Sequence, residues 1–133
     1  DIHRNSLNSY LYYLEQAKIL SLLYPAGIST ATLQKPEKIY LNNTNLLYAL
    51  SEEGAEQGAV RETFFLSQLA ANHTVQMPKQ GDFLVNKKYT FEVGGKNKTE
   101  AQIKGINNAF VVRDDIETPV GNNLPLWMFG GMY

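Results

Sequence analysis

The sequence predicts an α/β fold in which helices and short strands alternate along the chain. Apolar residues recur at the i, i+3, i+4 spacing of an amphipathic helix in residues 5–18 and 56–71. Short runs rich in β-branched and aromatic residues, bounded by glycine, proline or asparagine, are typical of strands. Such runs lie at residues 19–24, 38–41, 74–77, 81–85, 89–96 and 109–113.

The composition is that of a folded domain and excludes several classes of function. Of the 133 residues, 44% are hydrophobic and 19% are charged, which favours a packed core over disorder. The absence of cysteine excludes disulfides, thiolate metal sites and a cysteine nucleophile. The net charge of -1 gives no general case for binding nucleic acid or membranes. Because no signal peptide and no apolar run long enough to span a membrane is visible, we expect a cytoplasmic protein without membrane contact.

The chain is predicted to begin with a partial winged helix. A helix at residues 5–18, capped by Asn5 or Ser6, is followed by two strands that can form a β-hairpin. A helix followed by a hairpin is what remains of a winged helix when its first helices are absent.

A boundary between two units is predicted at the linker-like stretch Ser51-Glu52-Glu53-Gly54. A short helix, Thr44–Leu50, precedes it, with Thr44 near the cap. The elements after the linker form a self-contained series. We therefore expect residues 53–133 to fold as a second domain, following a winged-helix-like segment of residues 1–52.

The second domain is predicted to contain, in order, a helix, three strands, a helix and a strand. The first helix covers about Glu56–Ala71. The second runs from Thr99 to about Ile106, because Thr99 and Gln102 have the spacing of a capping box. The tail, residues 124–133, is too apolar to be a free end. We expect it to pack on the core as a short helix or strand.

Two of these strands predict a hairpin around the polar turn Asn86-Lys87-Lys88. Pairing Val85 with Tyr89 places Phe83 opposite Phe91 and Leu84 opposite Thr90. Because side chains alternate along a strand, one face is suited to a core and the other is more polar. The core face consists of Phe83, Val85, Tyr89, Phe91 and Val93, and the other face of Asp82, Leu84, Thr90 and Glu92.

This register also places Asp82 opposite Glu92, with roughly 5 Å between the Cβ atoms. Like charges at that distance repel unless solvent, a lysine, a proton or a metal ion compensates them. One interpretation is a site for a hard cation, because carboxylate oxygens suit Mg²⁺. The other is a pair of acids on a solvated sheet face, which antiparallel sheets commonly have.

Several stretches of the chain form a pattern that is more specific together than each is alone. They resemble the C-terminal region, of uncharacterised function, of a family of prokaryotic AAA-type ATPases, and the resemblance covers nearly the whole chain. In that family an ATPase module and the first part of a winged helix precede this region. We therefore expect this chain to be a fragment whose partner is the attached ATPase module. The stretches are Lys35–Leu41, Gly58–Phe65, Gly81–Val85, Phe91–Lys98 and Pro125–Gly130.

A second resemblance depends on the positions of three acidic residues in the predicted second domain. Glu62 lies in the first helix of the second domain, Asp82 at the start of its second strand and Glu92 late in its third. This arrangement resembles the PD-(D/E)-x-K nuclease superfamily. The resemblance implies a restriction-endonuclease-like fold, with a mixed sheet flanked by the two predicted helices. It also implies that the three acids are the ligands of Mg²⁺.

This chain departs from the superfamily pattern at two places: no proline precedes Asp82, and the motif lysine is absent. A lysine is expected two residues after the last acid, where it helps to orient or activate the attacking water, but this chain has Gly94. Lys96 or Lys98 would have to supply the ammonium group instead, which the flexible backbone at Gly94 permits. Gln102 resembles an accessory polar position in such nucleases.

Two functions follow from the resemblance. One is a Mg²⁺-dependent nuclease that hydrolyses phosphodiesters of DNA or RNA. The other is a nuclease-like module with a degenerate active site that binds nucleic acid or a partner and reports to the ATPase. Gly94 favours the binding module, and the position of Lys96 and Lys98 relative to the acids distinguishes the two.

Overall fold

The computed structural model describes residues 3–27 and 35–133 and shows a mixed α/β fold. Over these residues it contains three α-helices, seven strands and two single 3₁₀ turns, at Glu100–Gln102 and Leu126–Phe129. The helices are α1 (Arg4–Gln16), α2 (Thr44–Leu50) and α3 (Gln57–Leu69). The strands are β1 (Leu20–Leu23), β2 (Lys38–Leu41), β3 (Val75–Gln76), β4 (Phe83–Val85), β5 (Tyr89–Gly94), β6 (Ala109–Arg113) and β7 (Asn123–Pro125).

The strands form two sheets. A mixed five-stranded sheet has the order β3-β4-β5-β6-β7. The pairs β3–β4 and β4–β5 are antiparallel, whereas β5–β6 and β6–β7 are parallel. Strands β1 and β2 form a separate antiparallel hairpin. The predicted mixed sheet, and the helix and hairpin that precede it, are therefore confirmed.

The register of the central hairpin is the predicted one. Phe83 pairs with Phe91 and Val85 with Tyr89. In the turn, Asn86 and Lys87 have φ values of 52° and 57°, the left-handed conformation that tight hairpin turns require. The Asn86 side chain also accepts a hydrogen bond from the backbone N–H of Thr74 over 3.1 Å, which ties the turn to the start of β3.

The core lies between α3 and one face of the five-stranded sheet. The ring of Phe65, on α3, lies 5.2 Å from the ring of Phe83 and 5.1 Å from that of Phe91, measured between centroids. Phe129, in the C-terminal 3₁₀ turn, lies 4.8 Å from Phe65 in the same way. The tail therefore packs on the core, as predicted, through both β7 and this turn.

Strand β5 is buried on both of its faces, which the sequence did not predict. It lies between β4 and β6 in the middle of the sheet. Its second face is covered by the β5–β6 connection, whose Ile103 is buried together with Ala109 and Val111. The interpretation of Asp82 and Glu92 as acids on a solvated face is therefore wrong: their residues are 8% and 0% exposed.

The predicted helix from Thr99 to Ile106 is wrong. Only the 3₁₀ turn Glu100–Gln102 forms there, with the Thr99 hydroxyl accepting a weak hydrogen bond from the N–H of Ala101 over 3.4 Å. Gly105 follows with φ of 81°, a left-handed conformation that a right-handed helix cannot include. Of the two flanking helices predicted, α3 alone is an α-helix.

The predicted cap of the first helix is wrong, whereas Thr44 lies next to the cap of the second helix, as predicted. Helix α1 begins after His3, which makes no side-chain capping bond, so neither Asn5 nor Ser6 is its cap. Helix α2 is capped by Asn43, whose side chain accepts a hydrogen bond from the N–H of Leu46 over 3.0 Å.

The N-terminal hairpin contacts the five-stranded sheet. Leu23 is 1% exposed and belongs to the main core. The N–H of Met77 donates to the carbonyl of Tyr24 over 2.7 Å, and the N–H of Ala26 donates back to Met77 over 2.8 Å. These contacts cross the predicted boundary at residues 51–54, which itself stays a prediction. Within residues 3–27 and 35–133, no helix has the length and apolar character needed to cross a membrane.

Candidate functional site

Asp82 and Glu92 lie at the end of the central hairpin that is opposite its turn. The N–H of Asp82 donates to the carbonyl of Phe91 over 2.9 Å, directly beside the last β4–β5 pair, Phe83 and Phe91. The carboxylate of Asp82 then accepts a hydrogen bond from the N–H of Val93 over 2.8 Å. This bond helps to fix the orientation of the Asp82 carboxylate, whose charge acts on the nearby Glu92.

Glu92 is a buried carboxylate without adequate partners. Its side chain is 0% exposed, and neither oxygen forms a hydrogen bond within the part of the chain that the structure describes. The Lys98 ammonium lies 2.6 Å from Oε1 as an ion pair, but Oε2 has no such contact. Burial raises the pKa of Glu92; Lys98 lowers it in part, and the negative charges of Asp82 and Glu62 raise it further.

Lys98 reaches these acids by passing over Gly94. A Cβ atom at position 94 would lie only 2.7–2.8 Å from the stem carbons of Lys98. The ammonium group lies 2.6 Å from Oε1 of Glu92 and 3.6 Å from Oδ2 of Asp82. Burial alone would lower the pKa of Lys98, but the contacts with Glu92 and Asp82 outweigh that effect and raise it. The glycine at the motif position therefore makes room for a lysine from four residues later.

Glu62, on α3, is held by two residues of β2 that the sequence analysis missed. The Tyr40 hydroxyl donates to Oε2 of Glu62 over 2.6 Å. Burial, and then the bond to Glu62, raise the pKa of Tyr40, so the phenol stays protonated as a donor. The Lys38 ammonium lies 3.5 Å from the same oxygen and 3.7 Å from Oδ1 of Asp82. Strand alternation places Lys38 and Tyr40 on one face, but no local signal connects that face with Glu62.

These contacts form one network, here called the acid–lysine cluster: Glu62, Asp82, Glu92, Lys98 and Lys38, with Tyr40 bound to Glu62.

Two other predicted site residues lie outside this network. Lys96 is exposed, and its carbonyl accepts a hydrogen bond from Arg113 over 2.9 Å. Gln102 is exposed on its 3₁₀ turn. Neither side chain bonds to any of the three acids. Arg61, the neighbour of Glu62 on α3, pairs instead with Asp114.

The three acids have the right chemistry for Mg²⁺ but are not gathered around one point. In the described ranges, no three histidine or acidic side chains are grouped closely enough to hold a metal ion as they stand. Two lysine ammonium groups lie between the carboxylates instead. Carboxylate oxygens are nevertheless the ligands that Mg²⁺ prefers, and the buried Oε2 of Glu92 is without a partner in the described chain. The donor set fits the ion, provided that the ammonium groups give way.

Comparisons with protein-family models, curated proteins and solved structures give no match to this chain. Membership of the ATPase family and of the nuclease superfamily therefore stays a prediction. Function has to be inferred from the chemistry of the acid–lysine cluster.

Proposed function

We propose that the chain is a metal-dependent nuclease domain that hydrolyses phosphodiesters of DNA or RNA. The observation that supports this most strongly is the path of Lys98 over Gly94. It brings an ammonium group to the two central acids, although the motif position itself has no side chain. Lys98 thus lies beside the acids in space, although it is four residues after the position where the resemblance places a lysine.

The arrangement of elements supports a restriction-endonuclease-like fold as part of the proposal. Helix α3 precedes three strands, β3, β4 and β5, which pair in sequence order. Strand β6 then pairs in parallel with β5. The acids lie where the resemblance implies them: Glu62 on the helix, Asp82 directly before the second strand and Glu92 on the third strand.

Each residue of the cluster has a role in the proposed reaction. Glu62, Asp82 and Glu92 would hold Mg²⁺, which when bound supplies Lewis-acid polarisation of a phosphoryl oxygen. Lys98 keeps its proton, because the neighbouring carboxylates raise its pKa. It therefore acts as a positive hydrogen-bond donor to negative charge developing on the phosphate, and not as a base. The N–H of Val93 holds Asp82 in place for the cation.

A second candidate is the binding module without catalysis. The observation that favours it is that the ammonium groups of Lys38 and Lys98 already contact all three acids and offset part of their negative charge without a cation. In that case the domain would bind nucleic acid or a partner protein and serve an attached ATPase module. Both candidates would operate in the cytoplasm.

A cleavage assay separates the two candidates. The chain is incubated with end-labelled single-stranded DNA, double-stranded DNA and RNA, in Mg²⁺, in Mn²⁺ or in EDTA. We expect cleavage of at least one substrate that requires the metal and that Asp82→Asn abolishes. Asp114→Asn is the matched control, because Asp114 pairs with Arg61 outside the cluster. Binding of nucleic acid without cleavage in any metal would favour the second candidate and contradict the first.

A further inference from the structure

Lys38 is the charged member of the acid–lysine cluster that lies outside the predicted nuclease-like domain. It lies on β2, in the N-terminal hairpin, whereas the three acids lie on α3, just before β4 and on β5. Its ammonium is 3.5 Å from Oε2 of Glu62 and 3.7 Å from Oδ1 of Asp82. It therefore sits between two of the carboxylates that the proposed metal would share.

The two lysines of the cluster are held differently. Charge-assisted hydrogen bonds between ammonium and carboxylate are about 2.7–2.9 Å long. Lys98 is at least this close to Glu92, at 2.6 Å, and its stem packs against Gly94. Lys38 is farther from both of its acids, at 3.5 and 3.7 Å, although the two lysine side chains are similarly exposed, 33% for Lys38 and 27% for Lys98. Lys38 can therefore turn out to solvent at a lower cost than Lys98.

In the absence of metal, the ammonium group of Lys38 offsets part of the negative charge of the acids. Glu62 and Asp82 each approach Lys38, and the buried Glu92 lies next to Asp82 with one oxygen that lacks a partner in the described chain. Without Lys38, three carboxylates would share the single ammonium group of Lys98. Tyr40, two residues farther along β2, fixes Glu62 in the position that Lys38 contacts.

We propose that Lys38 is a tethered counter-ion of the cation site. It holds Glu62 and Asp82 together before a divalent cation binds, competes with that cation and turns out to solvent when the cation enters. The N-terminal hairpin thereby sets the metal concentration at which the site fills. This inference rests on the proposed function, because it takes the three acids to be the metal ligands.

The proposal predicts opposite effects of Lys38→Met with and without metal. Without metal the variant has less charge compensation and should melt at a lower temperature than the native chain. With metal, no ammonium competes for Glu62 and Asp82. Mn²⁺ binding should therefore be about tenfold tighter, which corresponds to about 1.4 kcal/mol. Lys38→Arg keeps the charge and should bind Mn²⁺ no more tightly than the native chain.

The test is calorimetric titration of the full chain with Mn²⁺ alone. Lys88→Met is the matched control, because Lys88 is exposed next to the turn, at the opposite end of the central hairpin from Asp82 and Glu92. Circular dichroism checks that each variant is folded, and Lys38→Gln replaces Lys38→Met if the latter is not. Tighter binding in the neutral variant, with Lys88→Met unchanged, supports the proposal.

Other outcomes of the titration overturn it in distinguishable ways. If the native chain binds Mn²⁺ and loss of the Lys38 charge leaves the affinity equal or weaker, Lys38 is not a competitor, while the proposed nuclease stands. If neither the native chain nor the neutral variant binds Mn²⁺, the inference and the metal-dependent function fail together. Binding that appears only after the Lys38 charge is removed supports the counter-ion and shows that it excludes the metal.

Discussion

The stem of Lys98 lies directly over Gly94, so closely that a Cβ atom at position 94 would overlap it. The two residues therefore depend on each other. The glycine leaves the space, and the lysine uses it to bring its ammonium group 2.6 Å from the buried Glu92.

Gly94→Ala should displace Lys98 from the cluster. Gly94 does not have a left-handed backbone, so the substitution acts through contact with Lys98 and not through backbone strain. Overpacking of this kind typically costs about 1–3 kcal/mol, and we expect a loss in that range, measured by urea unfolding. In the Lys98→Gly background the added methyl group meets no side-chain carbon of residue 98, whose Cβ alone would lie 2.8 Å away, so its cost should largely disappear. An equal cost in both backgrounds would show that Gly94 and Lys98 are independent.

Glu92→Gln should change how stability depends on pH. A carboxyl group whose pKa is raised by folding stabilises the native state in its protonated form. That contribution is fully present below the unfolded pKa of about 4.3 and is lost as pH rises through the raised folded pKa. Glutamine does not titrate. The native chain should therefore lose stability relative to the variant as pH rises above about 4 and through the raised pKa of Glu92.

Urea unfolding of both chains across this pH range measures the effect. Asp82, Glu62 and Lys98 face Glu92, and all three are retained in the variant. A difference between the two chains that stays constant with pH, or that changes in the opposite direction, would mean that burial does not raise the pKa of Glu92.

Phe91→Ala should be strongly destabilising. The ring of Phe91 contacts those of Phe65, Phe110 and Phe129, with centroid distances of 5.1, 5.8 and 5.7 Å. Removing a buried phenylalanine typically costs about 3–5 kcal/mol. Tyr133→Ala is a suitable control, because Tyr133 is 76% exposed and should tolerate the change. A loss below about 1 kcal/mol in denaturant melts would contradict the described core.

A chain of residues 53–133 tests the predicted domain boundary. It retains α3 and the whole five-stranded sheet, so we expect a cooperative thermal transition. It lacks Leu23, which is buried in the main core, so it should be less stable by at least about 2 kcal/mol. A melt without a cooperative transition would mean that the N-terminal hairpin and the sheet form a single folding unit.

The sequence predicted the central hairpin well because the information is local. Alternating side chains and the turn at residues 86–88 were enough to pair Phe83 with Phe91. The convergence of Asp82 and Glu92 follows from that register. That Glu62 and Lys98 each lie near the Asp82–Glu92 pair was implied only by the resemblance.

What the sequence could not predict depends on distant contacts. The burial of Glu92 requires β6 and the β5–β6 connection to cover a face that looks polar in isolation. That connection forms a single 3₁₀ turn where a capping-box spacing suggested a helix, and Gly105, inside the predicted helix, has a left-handed backbone. Lys38 and Tyr40 approach Glu62 across more than twenty residues of chain, and strand alternation alone gives no reason to expect that contact.

The role of Lys98 is tested most directly by the rate of metal-dependent cleavage in two matched variants, Lys98→Met and Lys96→Met. Both remove one lysine from the same short segment, but only Lys98 contacts the acids. Loss of a single donor to developing charge typically lowers kcat by about 10²–10³. We predict a fall of that size for Lys98→Met and no change for Lys96→Met. Cleavage at the native rate by Lys98→Met, or an equal fall in both variants, would contradict the assignment of Lys98 as the lysine of the site.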